Sequence, residues 1–203
     1  MSLALLKRMS ALLASCCGVL ILICCHKPAK LVPANFFSFQ LALSDDSRLN
    51  FDTLKGNKAS VFVFLAPDCP QSQSYTLTLN ELNDRFRDRG VGFHGVVTGG
   101  NYDRREIDGF ISQYRIHLPM LLDPDFALAR FFDATVTPEA FVVSSEGRPV
   151  YRGAIDNAAP DLGQHRSVIT EHYLLDALNS FITTGSAPIN STRAVGCFIE
   201  RAS

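Results

Sequence analysis

Residues 60–65 form an apolar run, Val61-Phe62-Val63-Phe64-Leu65 after Ser60, which predicts a strand buried on both faces of a sheet. A similar run over 91–97 predicts a second strand, and Leu118 to Leu122 is a short apolar stretch. Between the first two, Leu79, Leu82 and Phe86 recur at helical spacing while Glu81, Asp84, Arg85 and Arg87 fill the opposite face, so 74–89 reads as an amphipathic helix stopped by Gly90. Asp103 and Glu106 have the spacing of a capping box, and the helix they open runs to about 115 with Ile107, Phe110, Ile111 and Tyr114 inward. A short helix is expected over 123–131. Strands over 140–143 and 149–152 are joined by the turn Ser145-Glu146-Gly147, and a last helix spans about 168–181. Ahead of all this, 37–43 alternates at period two and meets 49–51 across a Ser-Asp-Asp-Ser turn, the pattern of a β-hairpin. The order predicts an α/β domain with one mixed central sheet, helices on both faces and an N-terminal β-hairpin.

The N-terminus breaks this pattern. Lys7 and Arg8 precede an uncharged stretch over 11–25, which reads as the basic and apolar regions of an export signal and is short for a membrane-spanning helix. Small residues before Cys16, and the end of the apolar stretch at Cys25, make both cysteines candidates for lipidation, with Cys25 favoured. The expected organisation is a signal peptide over 1–25, a linker over 26–35, a domain over 36–185 and a C-terminal extension over 186–203. The expected location is the cell envelope or periplasm, with a membrane tether.

Composition narrows the partners. With 19 basic and 20 acidic side chains and no long run of either sign, the chain has no electrostatic footprint for nucleic acid. Four of the 6 cysteines lie in the first 25 residues, leaving the body with Cys69 and Cys197, a candidate pair for one disulfide in an oxidising compartment.

Cys69 carries the chemistry. It follows the first buried strand through a short turn, Ala66-Pro67-Asp68, and opens a helical segment, where unpartnered N–H groups favour thiolate over thiol. Asp68 opposes the thiolate by like charge. Thr137-Pro138 precedes the third strand of the core.

This arrangement resembles the thioredoxin fold. Within it, the strings Phe64 to Pro70, Thr137-Pro138-Glu139, Tyr151 to Asp156 and Ala194 to Ile199 are similar to the redoxin branch, related to alkyl hydroperoxide reductase, thiol-specific antioxidant and membrane-tethered thiol reductases. The resemblance implies a cis peptide before Pro138, a substrate groove formed by Pro67, Pro70, Thr137 and Pro138, and Cys69 as the nucleophile of thiol–disulfide exchange with a protein or small-molecule substrate and a separate redox partner. No cofactor is implied.

Two departures shape that expectation. Ser72 stands where a local dithiol would have its second cysteine, and Phe62 and Ala66 replace the proline and threonine of the peroxidatic signature, so peroxidase activity is less expected than thiol–disulfide exchange. Cys197 is the remaining partner, as a resolving cysteine or as half of a structural bridge. Closing so long a loop would stabilise the fold by about 4–5 kcal/mol. Two alternatives stand beside the enzyme: copper handling by Cys69, Cys197 and one of His94, His117, His165 or His172, and a binding module with one inert disulfide. Arg152 and Asp156 are expected to form an ion pair in the hairpin.

Overall fold

The computed structural model describes residues 35–200. The signal segment, both lipidation candidates and all but the last residue of the linker lie outside the described residues. Among the described residues, seven strands form one sheet in the order β2-β1-β5-β4-β3-β7-β8. β3 (Ala59–Leu65), β4 (Val91–Thr98) and β5 (Met120–Asp123) run parallel, while β7 (Glu139–Ser144) and β8 (Pro149–Gly153) continue the sheet antiparallel. The hairpin of β1 (Gln40–Leu43) and β2 (Arg48–Asn50) joins antiparallel to β5. A separate two-stranded ribbon pairs β6 (Val136–Thr137) with β9 (Cys197–Phe198).

Alternation along β3 divides the core. Val61, Val63 and Leu65 pack with Leu79, Leu82 and Phe86 of α2 (Thr76–Phe86), Ile107 and Phe110 of α3 (Arg104–Gln113), and Leu174 and Leu178 of α5 (Tyr173–Thr184). Phe62 and Phe64 face the other way, against Phe36, Phe51 and α4 (Ala127–Phe132). Every residue of β3 is buried, as an apolar run without alternation requires. Each such large side chain contributes roughly 1.5–3 kcal/mol by leaving water.

The elements depart from the sequence expectation where side chains satisfy backbone groups. The helix expected over 74–89 forms as α2 followed by a 3-10 turn over Arg87–Arg89, while the segment that Cys69 opens is a separate α1 (Pro70–Ser74); Tyr75 lies between the two helices and donates its hydroxyl to the buried Asp156 carboxylate. α4 starts at Ala127 because Asp123, still in the strand, accepts from Leu128 N at 3.1 Å and Ala129 N at 2.9 Å. α5 starts at Tyr173 because Asn157 holds the preceding loop, bonding the Thr170 hydroxyl and the backbone N–H groups of Thr170 and Glu171. The capping box at Asp103 and Glu106 forms as expected.

His94 is a buried exception to the apolar core. Its ring stacks on Phe62 at 5.1 Å, and Nδ1 has no hydrogen-bond partner among the described residues. Burial lowers its pKa from 6.5 to about 4, against an opposing hydrogen bond to the Val61 backbone. The unfolded chain therefore binds this proton first, so stability present above pH 6.5 falls as the pH drops toward 4. The loss reaches about 3 kcal/mol. In urea titrations at pH 7 and pH 4, His94→Leu is expected to lessen the acid destabilisation by that order, and an unchanged pH dependence would contradict the assignment.

Candidate active site

Cys69 sits at the end of β3, where the turn over 66–69 closes with Cys69 N donating to Ala66 O at 3.1 Å. It is the N-cap of α1, and Pro70 takes the first helical position, where its missing N–H costs nothing. α1 is only 5 residues long. The thiolate is therefore favoured less by a long helix dipole than by particular hydrogen bonds. Ser72 is fully buried and does not replace the second thiol chemically: its hydroxyl accepts from Ala66 N at 3.1 Å and ties the turn to the helix, while its own N–H faces Cys69.

Across from Cys69 lies the Thr137–Pro138 peptide, which is cis. The Cys69 thiol donates to Thr137 O at 3.1 Å. Glu139 braces this loop from beneath. One carboxylate oxygen accepts from Thr135 N at 2.9 Å, and the other pairs with Arg152 at 3.1 Å. Arg152 thus pairs with Glu139 and not with Asp156, which instead accepts from Tyr75 and from Ala158 N. The expected hairpin ion pair is corrected accordingly: Asp156 is turned into the core, beyond the reach of a side chain that emerges from β8 toward Glu139.

The C-terminal extension brings the second thiol. Residues 190–192 run along the free edge of β8, with Arg152 N donating to Asn190 O and Thr192 N to Arg152 O, both at 3.0 Å. The Thr192 hydroxyl adds bonds to the Tyr151 hydroxyl at 2.6 Å and Ala154 N at 3.0 Å. The chain then crosses to the cis-proline loop, where β9 pairs with β6 in a register that sets Cys197 opposite Thr137, and Ile199 N donates to Thr135 O at 2.9 Å. Gly196 allows this approach: a Cβ there would lie 2.0 Å from Thr137 O.

The two thiols are unbonded and differ in character. Burial alone would raise the Cys69 pKa. Hydrogen bonds from the Cys197 side chain, Ser72 N–H, the Thr137 side chain and Cys197 N–H outweigh it, so the thiol ionises below the ordinary 9.0. Cys197 moves the opposite way, up to about 12, through burial, its hydrogen bond to Cys69, and the negative charges of Cys69 and Asp68. The pair is thus asymmetric: Cys69 is the more acidic thiol, and the Cys197 side chain favours its ionised form. Cys197→Ala keeps β9 over the site but removes the largest favourable contribution. The pH midpoint for alkylation of Cys69 by iodoacetamide is expected to rise relative to the unmodified protein, and a midpoint that stays or falls would contradict the pairing.

A cavity of about 760 Å³ opens beside Cys197, lined among others by Pro67, Asp68, Tyr102, Phe110, Tyr114 and Thr137. Tyr102 donates its hydroxyl to Asp68, and both residues belong to the cavity lining. Of the expected groove residues, Pro67 and Thr137 line this cavity, whereas Pro70 begins α1 and Pro138 is the cis residue behind it. Cys69 is only 1% exposed. No group of three metal-ligating side chains occurs among the described residues, and His94 is held in the aromatic core away from the thiols. Sequence reasoning did not assign a role to Ser72, nor to Glu139 beyond its place in the Thr-Pro-Glu string. It missed Tyr102 altogether; its place in a loop after β4 gave no periodic signal.

The site and sheet define a thiol-active protein of the thioredoxin-like class. Residues 32–151 match the model of the AhpC/TSA family, and the chain belongs to that family. No curated protein matches the chain. Among solved structures, an uncharacterized conserved protein from Geobacillus kaustophilus is similar over 85% of this chain and 94% of its own, at 21% identity and a TM-score of 0.70. The bacterioferritin comigratory protein of Xanthomonas campestris, studied for alkyl peroxide reduction, is similar over 60% of this chain and 83% of its own, at 24% identity and a TM-score of 0.51. The thioredoxin domain of a thiol-disulfide oxidoreductase from Bacteroides vulgatus is similar over 61% and 86%, at 16% identity and a TM-score of 0.51. These similarities establish the thioredoxin-like fold; the chemistry rests on the residues above.

Proposed function

We propose that the protein is an exported, membrane-tethered thiol–disulfide oxidoreductase that cycles between the dithiol seen here and a Cys69–Cys197 disulfide. The observation that carries this reading is the β6–β9 register, which sets Cys197 opposite Thr137, the residue whose carbonyl accepts the Cys69 thiol. Cys69 and the nearby Cys197 supply the two thiols that the couple exchanges with a substrate disulfide, so that Ser72 at the usual local position is no obstacle. Peroxide reduction is the less favoured activity, because the threonine of the peroxidatic signature is replaced by Ala66, which offers no hydroxyl to hold a peroxide. Export and tethering are supported by the basic and apolar segments ahead of the domain.

Assays of insulin reduction with dithiothreitol and of dithiol-peptide oxidation test the activity. Turnover in at least one is expected. Inactivity in both, with the protein folded, would overturn the enzymatic reading in favour of a binding module.

A further inference from the structure

Thiol–disulfide exchange is an in-line displacement, so the attacking sulfur must reach one disulfide sulfur from the side opposite the other. With β9 in its present register the two sulfurs are not equivalent. Cys69 is 1% exposed, with the Thr137 carbonyl and the tail above it and the β3–α1 turn behind. Attack on Cys69 would have to come through the protein. Cys197 lines the cavity of about 760 Å³ and Cys69 does not, so the cavity is the approach to the pair. Cys197 also occupies, on an extended segment paired with Thr137, the position a substrate cysteine would take beside the cis-proline loop. The oxidised protein is in effect an internal mixed disulfide, with Cys197 as the substrate-like half.

We propose that, in the disulfide cycle on which this inference rests, the incoming thiol docks in that cavity and attacks Cys197, not Cys69, and that it belongs to a polypeptide cysteine flanked by basic or neutral residues. The incoming thiolate forms a bond to Cys197 Sγ as the Cys69–Cys197 bond breaks, and Cys69 leaves with the electron pair as a thiolate. A second thiol of the same partner, after losing its proton, attacks the partner's sulfur in the mixed disulfide. Cys197 departs and takes up a proton. Two partner thiols are oxidised to a disulfide and the protein disulfide is reduced to two thiols. Departure of Cys69 is eased by the same hydrogen bonds that lower its pKa, since a more acidic thiol is a faster leaving group.

The preference in substrate follows from the lining. Asp68, Glu106 and Glu200 line the cavity, and among its described lining residues there is no lysine or arginine. Its volume accommodates several residues, with Phe110, Tyr114 and Phe198 offering aromatic surface. A thiol bearing carboxylates is repelled from this site, whereas a cysteine next to lysine or arginine is attracted.

The test uses the full-length protein oxidised to the Cys69–Cys197 disulfide, mixed with one equivalent of a single-cysteine peptide, quenched within milliseconds by N-ethylmaleimide and mapped by mass spectrometry. The expected product carries the peptide on Cys197 and maleimide on Cys69. Peptide on Cys69 with maleimide on Cys197 would overturn the proposal and leave the disulfide cycle standing, whereas failure to obtain the starting disulfide would overturn the cycle itself. Two peptides, with lysines or glutamates beside the cysteine, are then compared, each rate normalised to that peptide's rate with a small neutral disulfide. The lysine peptide is expected to react on the order of tenfold faster at low ionic strength, with the difference collapsing near ~1 M salt. Equal normalised rates at low salt would overturn the substrate assignment.

Discussion

Replacement of Cys69 by serine is expected to abolish turnover of dithiol and disulfide substrates, a loss of at least about a thousandfold, while the protein unfolds at nearly the same temperature. The hydroxyl fits the N-cap of α1, a position that favours serine, so the fold has no reason to suffer. Chemistry has every reason to, because a hydroxyl does not ionise at neutral pH, forms no disulfide and cannot leave one. The variant should still hold Cys197, whose pKa loses the contribution of its neighbour and falls from about 12. Steady-state rates of insulin reduction and dithiol oxidation, with a thermal melt on the same sample, separate the chemical from the structural effect. Retention of more than about a tenth of the activity would mean that Cys69 is not the sulfur the reaction turns on.

The second large effect is expected at a residue with no reactive group. In Gly196→Ala the added Cβ would meet Thr137 O at 2.0 Å and Thr137 C at 2.6 Å, both backbone atoms held in the braced cis-proline loop. The loop cannot yield without breaking the Glu139 and Arg152 bonds beneath it, so β9 must lift. Cys197 then loses its place beside Cys69. Disulfide formation is expected to slow on the order of a hundredfold as the effective concentration of Cys197 falls. Cys69, no longer covered, should be alkylated by N-ethylmaleimide at least about tenfold faster in the native protein. The upstream anchor at Thr192 remains, so the tail should stay attached along β8. Unchanged kinetics of both reactions would show that the β6–β9 ribbon does not govern the thiol pair.

The elements most legible in the sequence were those in which one physical signal dominates. The apolar run of β3, the period of Leu79, Leu82 and Phe86, and the capping box of Asp103 and Glu106 are local, and each forms as expected. Boundaries set by distant side chains were not legible: nothing before the fold forms tells that Asn157 holds residues up to Glu171 out of α5, or that Tyr75 is drawn toward Asp156. At the site, Cys69 and Thr137-Pro138 could be read from their places relative to strands. The location of Cys197 could not, because it depends on a turn-rich tail adding to one sheet edge and then crossing to another ribbon. Gly196 was visible only as a residue type; that its missing Cβ admits the tail to within contact of Thr137 is a property of the assembled fold.

The chain belongs to the AhpC/TSA family, and the geometry distinguishes it within that family. Ser72 has become a structural tie, and the second sulfur arrives on the C-terminal strand. Burial, hydrogen bonding and charge then make Cys69 the more acidic thiol of the pair and Cys197 the less acidic.

The central claim is that these two cysteines, 128 positions apart in sequence, form a reversible redox couple in the folded protein. Mass-spectrometric mapping after mild oxidation with diamide, followed by dithiothreitol under native conditions, tests it directly. The account requires an intramolecular Cys69–Cys197 crosslink that forms quantitatively in the monomer and reopens without unfolding. Two free thiols after oxidation, or a bridge that dithiothreitol reaches only once the protein is denatured, would contradict it.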